Sequence, residues 1–142
     1  MHVEIRPLGP GDEHAVLAAG SLFDSEPDVE ATKRFVDHPG HHLLVAYDRH
    51  DRPIGFVSGV ELTHPDKGSE MFLYELGVDA SARRRGVGRA LVEALRALAR
   101  RRGCCGMYTL ADDDDEPAQA TYASAGGRAT SRPVMIDWDL GS

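Results

Sequence analysis

LYELGVDASARRRGVGRA, residues 73–90, decides how the rest of the chain is read. It passes from an apolar, strand-like run through a short polar turn into three consecutive arginines, two glycines and the start of a helix. Beyond Gly86, Val87, Leu91, Leu95 and Leu98 recur at helical spacing, while Arg89, Glu93, Arg96 and Arg100 point elsewhere. The N–H groups of Arg84, Arg85, Gly86, Val87, Gly88 and Arg89 therefore stand at a helix origin, with no earlier carbonyl of that helix to bond.

Glycine at 86 and 88 lets an acceptor approach the main chain without a Cβ in the way, and a helix origin carries about half a positive charge. A diphosphate meets those requirements, with Arg83, Arg84 or Arg89 adding charge-assisted hydrogen bonds. The dinucleotide pattern is excluded, since its third glycine would fall at position 91, where Leu91 stands, and the Gly-Lys-Ser/Thr of a P-loop is missing. Taken alone, R-x-x-G-x-G fits a solvated helix face with turn-forming glycines equally well, so the surrounding elements have to decide.

On the N-terminal side, VEIRPL at 3–8 predicts a strand, Asp12 an N-cap for a helix through about Phe23, and residues 29–37 a second helix ended by His38-Pro39-Gly40. HLLVAYD and PIGFVSGVELT form a hairpin around RHDR, followed by a third strand, MFLYELGV. On the C-terminal side, Gly103 closes the arginine-rich helix and CCGMYTLA predicts a strand. Pro117 opens a short helix through about Ser124, which Gly126-Gly127 ends, and VMIDWDL at 134–140 predicts a last strand. The order β-α-α-β-β-β-α-β-α-β predicts an α/β domain whose mixed sheet is antiparallel early and parallel across the arginine-rich helix.

A length of 142 residues suits one domain spanning 1–142. No apolar run approaches the roughly 18 residues of a membrane span, and MHVEIRPLGPGDEH does not read as a secretory signal, so a cytoplasmic setting is expected. Cys104 and Cys105, the only cysteines, are adjacent and predicted to be reduced strand residues. His38, His41 and His42 fall in a Pro/Gly turn and read as a surface loop, and no metal is expected. Trp138 and Tyr74 read as core or interface residues. Formal net charge is −7, yet eight basic residues lie between Arg83 and Arg102, and Asp112 to Glu116 form one acidic block. Such a chain can hold an anion at one place and a cation at another. The acidic total and the lack of aromatics among the arginines argue against nucleic acid.

ELGVDASARRRGVGRALVEAL, followed by a strand and by Tyr122, resembles the acyl-CoA motif of GNAT-type N-acetyltransferases, with Arg83, Gly86 and Gly88 at the R/Q-x-x-G-x-G/A positions. The resemblance implies a GNAT-like α/β fold over nearly the whole chain: a mixed, mostly antiparallel sheet flanked by helices, with a splayed V between the two middle strands. It further implies acetyl-CoA as cosubstrate, its diphosphate on Arg83 to Arg89 (Arg83, Arg84, Arg85, Gly86, Val87, Gly88 and Arg89) and its pantetheine arm along Leu76, Gly77 and Val78. FLYELGV, RRRGVG, ADDDDEPAQATY and VMIDWDL together resemble type I aminoglycoside 3-N-acetyltransferases. Asp113 and Asp114 depart from that group, whose turn commonly carries an aromatic and a glycine there.

Acetyl transfer to an amine needs a neutral amine and a protonated leaving thiolate. Glu75, just ahead of the loop, is the candidate general base, and Tyr122 by resemblance the general acid. Asp112, Asp115 and Glu116, with Asp137 and Asp139 on one side of the terminal strand and Glu26, are the candidate binding residues for a cationic amine, with Asp24 and Asp28 beside Glu26 as further candidates for the rim. The expected activity is acetylation of an aminoglycoside 3-amino group. Alternatives are a polyamine, small amine or peptide as acceptor, or a non-catalytic acyl-CoA-binding module. A homodimer is compatible with the resemblance.

Overall fold

The computed structural model describes residues 2–141. Its strands are β1 (Glu4–Leu8), β2 (His41–Tyr47), β3 (Pro53–His64), β4 (Gly68–Val78) and β5 (Gly106–Tyr108). Its α-helices are α1 (Glu13–Ala18), α2 (Val29–Asp37), α3 (Val87–Arg101) and α4 (Glu116–Ser124). The sheet order is β1-β2-β3-β4-β5, antiparallel throughout except for the parallel β4–β5 pair that α3 connects.

Two apolar clusters give the sheet two covered faces. Leu44, Ile54, Val57, Met71 and Leu73 pack against Val87, Leu91, Val92 and Leu95 of α3. Val45, Tyr47 and Phe56 pack with Val16 of α1 and Val36 of α2 on the other face. Leu91 and Leu95 are wholly buried, so the helical spacing seen in the sequence is the stripe that seats α3. Gly59 permits that approach: a Cβ there would lie 2.9 Å from Leu95 Cδ1 and 2.8 Å from Met71 Sδ.

β4 carries a bulge. Ser58 pairs with Glu75 but Gly59 with Leu73, which leaves Tyr74 as an extra residue. Leu73 and Leu76 consequently face the same α3-side core although they stand three positions apart. The parity shift turns Glu75 and Gly77 to the other face, where Gly77 lies against Phe56.

Several expectations need correction. VMIDWDL forms no strand: residues 128–141 have neither helix nor strand, and Trp138 is 77% exposed. Alternation supplies a sticky face but not the neighbouring strand whose hydrogen bonds would hold it. β5 is therefore the sheet edge, and the V lies between β4 and that edge rather than between two middle strands. β5 is also only three residues long, with Cys104 and Cys105 free and just ahead of it. Tyr74, as the bulge residue, is exposed rather than core. The first helix stops at Ala18 and continues as a separate turn at Gly20–Leu22, where Pro27 packs on Gly20. Asp12 does precede α1, but its carboxylate accepts from Gly9 N–H at 2.8 Å instead of capping the helix. His41 and His42 belong to β2, and His42 Nε2 lies 2.5 Å from Glu61 Oε2.

No helix among the described residues is long and apolar enough to cross a membrane.

Candidate active site

The parallel pairing of β4 with β5 ends at Phe72 and Tyr108, whereas β4 continues to Val78 against β3 alone. At the point of separation Thr109 Oγ1 donates to the Leu73 carbonyl at 2.9 Å. Beyond it the free edge of β4 opens. Asp79 N–H bonds the Ile54 carbonyl of β3, so the strand period directs the main chain of Gly77 and Glu75 to β3 and that of Val78 and Leu76 into the gap. Arg83 Nε donates to the Val78 carbonyl from that side at 3.3 Å.

The gap leads to the origin of α3. The first bond recorded there runs from Ala90 N–H to the Gly86 carbonyl at 3.0 Å, leaving Val87, Gly88 and Arg89 without a carbonyl in their own helix. Arg84 and Gly86 both adopt left-handed conformations, at φ 63° and 80°. Nothing lies within 4 Å of a Cβ built on Gly86, so its outer side is open. Gly88 differs from the sequence expectation, because a Cβ there would meet Thr121 Cγ2 of α4 at 3.2 Å. That glycine seats α4 on α3 rather than leaving room for a ligand. Arg83 is bonded to β4 and Arg89 Nε to Glu93 at 2.6 Å, while the Arg84 and Arg85 guanidinium groups have no recorded partner among the described residues. The unengaged cations nearest the loop are therefore those two.

Glu75 and Tyr122 approach the gap from opposite faces of the sheet. Burial raises the Glu75 carboxyl above its ordinary value, and the neighbouring Asp24, charged and hydrogen-bonded to it, raises it further. Asp24 follows Phe23, whose ring meets Phe56 edge-on at 4.7 Å. Burial also raises the Tyr122 phenol, against a hydrogen bond with Thr109 that lowers it. Thr109 is the residue that sequence reasoning missed at the site, and Asp24, expected on the acceptor rim, stands beside Glu75; neither is in the R-x-x-G-x-G motif, and only the register and the loop packing bring them in.

The acidic residues are not all gathered. Asp112 to Glu116 are exposed at the end of the connection from β5 to α4. Asp115 caps α4 by accepting from Ala118 N–H at 3.1 Å, and Asp113 pairs with Arg132 at 3.3 Å. Glu26 is exposed on the loop between Asp24 and the α2 cap, Asp28. Asp137 and Asp139 lie in the strandless C-terminal segment, so within one chain no sheet aligns them with the 112–116 loop.

Residues 12–126 match the family model described as Acetyltransferase (GNAT) family. The chain belongs to that family. Among curated proteins, the chain is 30% identical over 97 residues to the L-2,4-diaminobutyric acid acetyltransferase of Streptomyces coelicolor, covering 66% of this chain and 56% of that protein. It is 30% identical over 129 residues to the mycothiol acetyltransferase of Kocuria rhizophila, covering 89% of this chain and 40% of that protein. The chain thus spans about half the length of these two relatives, or less. Among solved structures, an aminoglycoside acetyltransferase from an uncultured soil metagenomic sample, also solved with sisomicin, superposes with TM-score 0.88 at 22% identity, over 97% of this chain and 96% of that one. AAC(6')-Iy in complex with a CoA-containing bisubstrate analogue superposes with TM-score 0.84 at 19% identity, over 99% and 100%. At those identities the likeness establishes the GNAT fold.

Acetyl-CoA is the acyl donor of GNAT acetyltransferases. The residues present fit it: the unbonded N–H groups of the α3 origin, the open side of Gly86 and the free Arg84 and Arg85 suit a diphosphate, and the unpaired β4 edge suits an amide-bearing arm.

Proposed function

We propose that this chain is a single-domain, acetyl-CoA-dependent N-acetyltransferase acting on a primary amine of a cationic small molecule. The observation that carries the reading is the parting of β4 from β5 at Leu73 and Thr109, which opens a backbone edge ending at the unsatisfied origin of α3. The main chain of 84–89 and the Arg84 and Arg85 side chains hold the diphosphate, and Leu76 and Val78 orient the arm. When bound, acetyl-CoA supplies an acetyl group activated as a thioester.

Glu75 takes a proton from the acceptor ammonium, directly or through a water. Its raised affinity for protons, set by burial and Asp24, suits it to that exchange better than an ordinary surface carboxylate. Tyr122, protonated at neutral pH, gives a proton to the departing sulfur. Asp112 and Glu116 attract the cationic acceptor, Asp115 adds charge while holding α4, and Glu26 adds a carboxylate on the Glu75 side.

The favoured acceptor is the 3-amino group of an aminoglycoside. Supporting it are the resemblance of FLYELGV, RRRGVG and ADDDDEPAQATY to the 3-N enzymes and the aminoglycoside acetyltransferases among the structural relatives. A second reading, acetylation of a small diamine or diamino acid, is favoured by the 30% identity to the diaminobutyric acid enzyme. An amine panel with a free-thiol readout separates them. Thiol release with aminoglycosides supports the first and turnover of diaminobutyrate or spermidine alone supports the second. Tight CoA binding with no thiol release from any amine would leave a binding module.

A further inference from the structure

The face of the sheet turned away from α3 is covered only in part. The cluster built on α1 and α2 reaches Val45 and Tyr47 of β2 and Phe56 of β3, and among the described residues it takes in no side chain of β4 or β5. Met71, Leu73 and Met107 belong to the α3-side core, so alternation turns Phe72 and Tyr108 to the uncovered side. These two are register partners, and their rings stack with centroids 5.0 Å apart. Tyr74, the bulge residue, meets Phe72 edge-on at 5.9 Å, with 82° between the ring planes. Tyr74 is 67% exposed, Tyr108 40% and Leu110 50%.

Phe72 holds both tyrosines in place while their own rings stay open to contact, so a ligand there gains aromatic area at little cost in side-chain freedom. Carboxylates frame the strip. Glu75, with Asp24 beside it, turns to this same face one residue beyond Tyr74. Glu70 precedes Phe72 by two positions on the same face, and its Oε2 lies 4.0 Å from where a Cβ on Gly106 would stand. Asp112 opens the acidic block two residues after Leu110. An occupant therefore has to be apolar where it meets the rings and cationic at its margins. A saturated ring with ammonium groups on its rim has that form: its C–H bonds make a flat apolar face, and its cations meet carboxylates and aromatic faces. An open-chain amine alternates methylenes and charges along one flexible line, and it has to freeze several torsions to match.

We propose that Phe72, Tyr74 and Tyr108 form an aromatic platform that receives the ring face of a cyclic amine and presents one of its amino groups to Glu75. The inference rests on the acetyltransferase reading and narrows its acceptor to saturated rings bearing two or more ammonium groups. Tyr74 determines the specificity, since it is the most exposed of the three and the chain neighbour of Glu75. The bulge that turns Glu75 to this face also leaves Tyr74 beside it, so one irregularity of β4 places both base and platform.

Two diamines separate the ring from the charge: deoxystreptamine carries its ammonium groups on a cyclohexane ring, putrescine on an open chain. Calorimetry reads their binding to the CoA-loaded protein, and thiol release reads their turnover with acetyl-CoA. Tyr74→Leu keeps apolar bulk and loses the aromatic face. It should weaken deoxystreptamine about three- to tenfold in Kd, with the loss in turnover falling on KM, while putrescine changes less than about twofold. Tyr74→Phe keeps the ring and should retain wild-type affinity. Tyr74-dependent binding without thiol release from any amine would uphold the platform and sink only the transfer chemistry. Thiol release with deoxystreptamine affinity unmoved in Tyr74→Leu overturns the platform alone, as does an equal loss for both diamines. No heat from deoxystreptamine in the wild type also overturns it and leaves the face to a macromolecular partner.

Discussion

Thr109 Oγ1 donates to the Leu73 carbonyl at 2.9 Å, and this side-chain bond stands where the β4–β5 ladder stops. The same side chain neighbours the Tyr122 phenol and lowers it against the burial that raises it, so one residue touches both the parting of the strands and the proposed acid. Thr109→Val removes the bond to Leu73 and the polar neighbour of Tyr122 while keeping the shape. Losing a buried hydrogen bond of this kind costs about 1 kcal/mol, or roughly fivefold. The expected outcome is a drop of about that size in kcat with little change in the Kd for CoA, read by thiol release and calorimetry. Unchanged turnover would exclude Thr109 from the machinery.

Asp24 raises the Glu75 carboxyl, after burial the second cause of its shift. In Asp24→Asn the added charge is gone, so the acid limb of the kcat/KM profile should move to lower pH. Folding linkage supplies a second readout. Because the folded-state value is raised, Glu75 costs the wild type stability as pH rises from the ordinary 4.5 through that raised value, and costs nothing below it. Glu75→Gln should therefore be more stable than wild type at neutral pH and equal to it in acid, while losing activity. A stability difference independent of pH would contradict the shift.

Gly86 and Gly88 should respond differently. Gly86→Val forces a branched residue to φ 80° and fills the open side of the loop, so CoA affinity should fall at least tenfold. Gly88→Ala instead meets Thr121 and should cost about 1–3 kcal/mol of stability as an overpacked contact. Thr121→Ser removes the opposing methyl, and the double variant should recover most of that loss in thermal melts. Failure of Thr121→Ser to rescue would mean that Gly88 serves something other than packing.

Glu61 joins His42 of β2 to Arg102 beyond α3, at 2.5 and 2.8 Å. Burial alone would raise its carboxyl, but hydrogen bonds from His42 and Arg102 hold it below the ordinary value. Its stabilisation is thus present above 4.5 and lost as pH falls through the depressed value. Glu61→Gln should lower stability at neutral pH by about 1–3 kcal/mol, with the gap to wild type closing in acid. Urea melts across pH would show a constant gap if the ion pairs were idle.

Asp115→Asn keeps a good N-cap and removes a charge, whereas Asp115→Ala loses the cap and about 1 kcal/mol with it. Both should raise the apparent KM for a multiply charged amine, and only the alanine variant should melt earlier. Equal melting points would show that the Ala118 bond contributes little.

The sequence by itself determined the order of elements as far as α4, the amphipathic stripe of α3 and the glycine at the loop, because helix periodicity, capping and left-handed turns are written within a few residues. It also placed the acidic block, since Pro117 and Asp115 mark the start of α4 locally. Only the tertiary structure decided which way Glu75 faces, because the Tyr74 bulge that reverses strand parity depends on pairing with β3. The same holds for the Asp24 and Thr109 contacts and for Gly88, whose neighbour Thr121 is remote in the chain. The segment 134–140 shows the limit most plainly: alternation makes it competent to be a strand, but a strand exists only where another backbone meets its hydrogen bonds, and among the described residues none does.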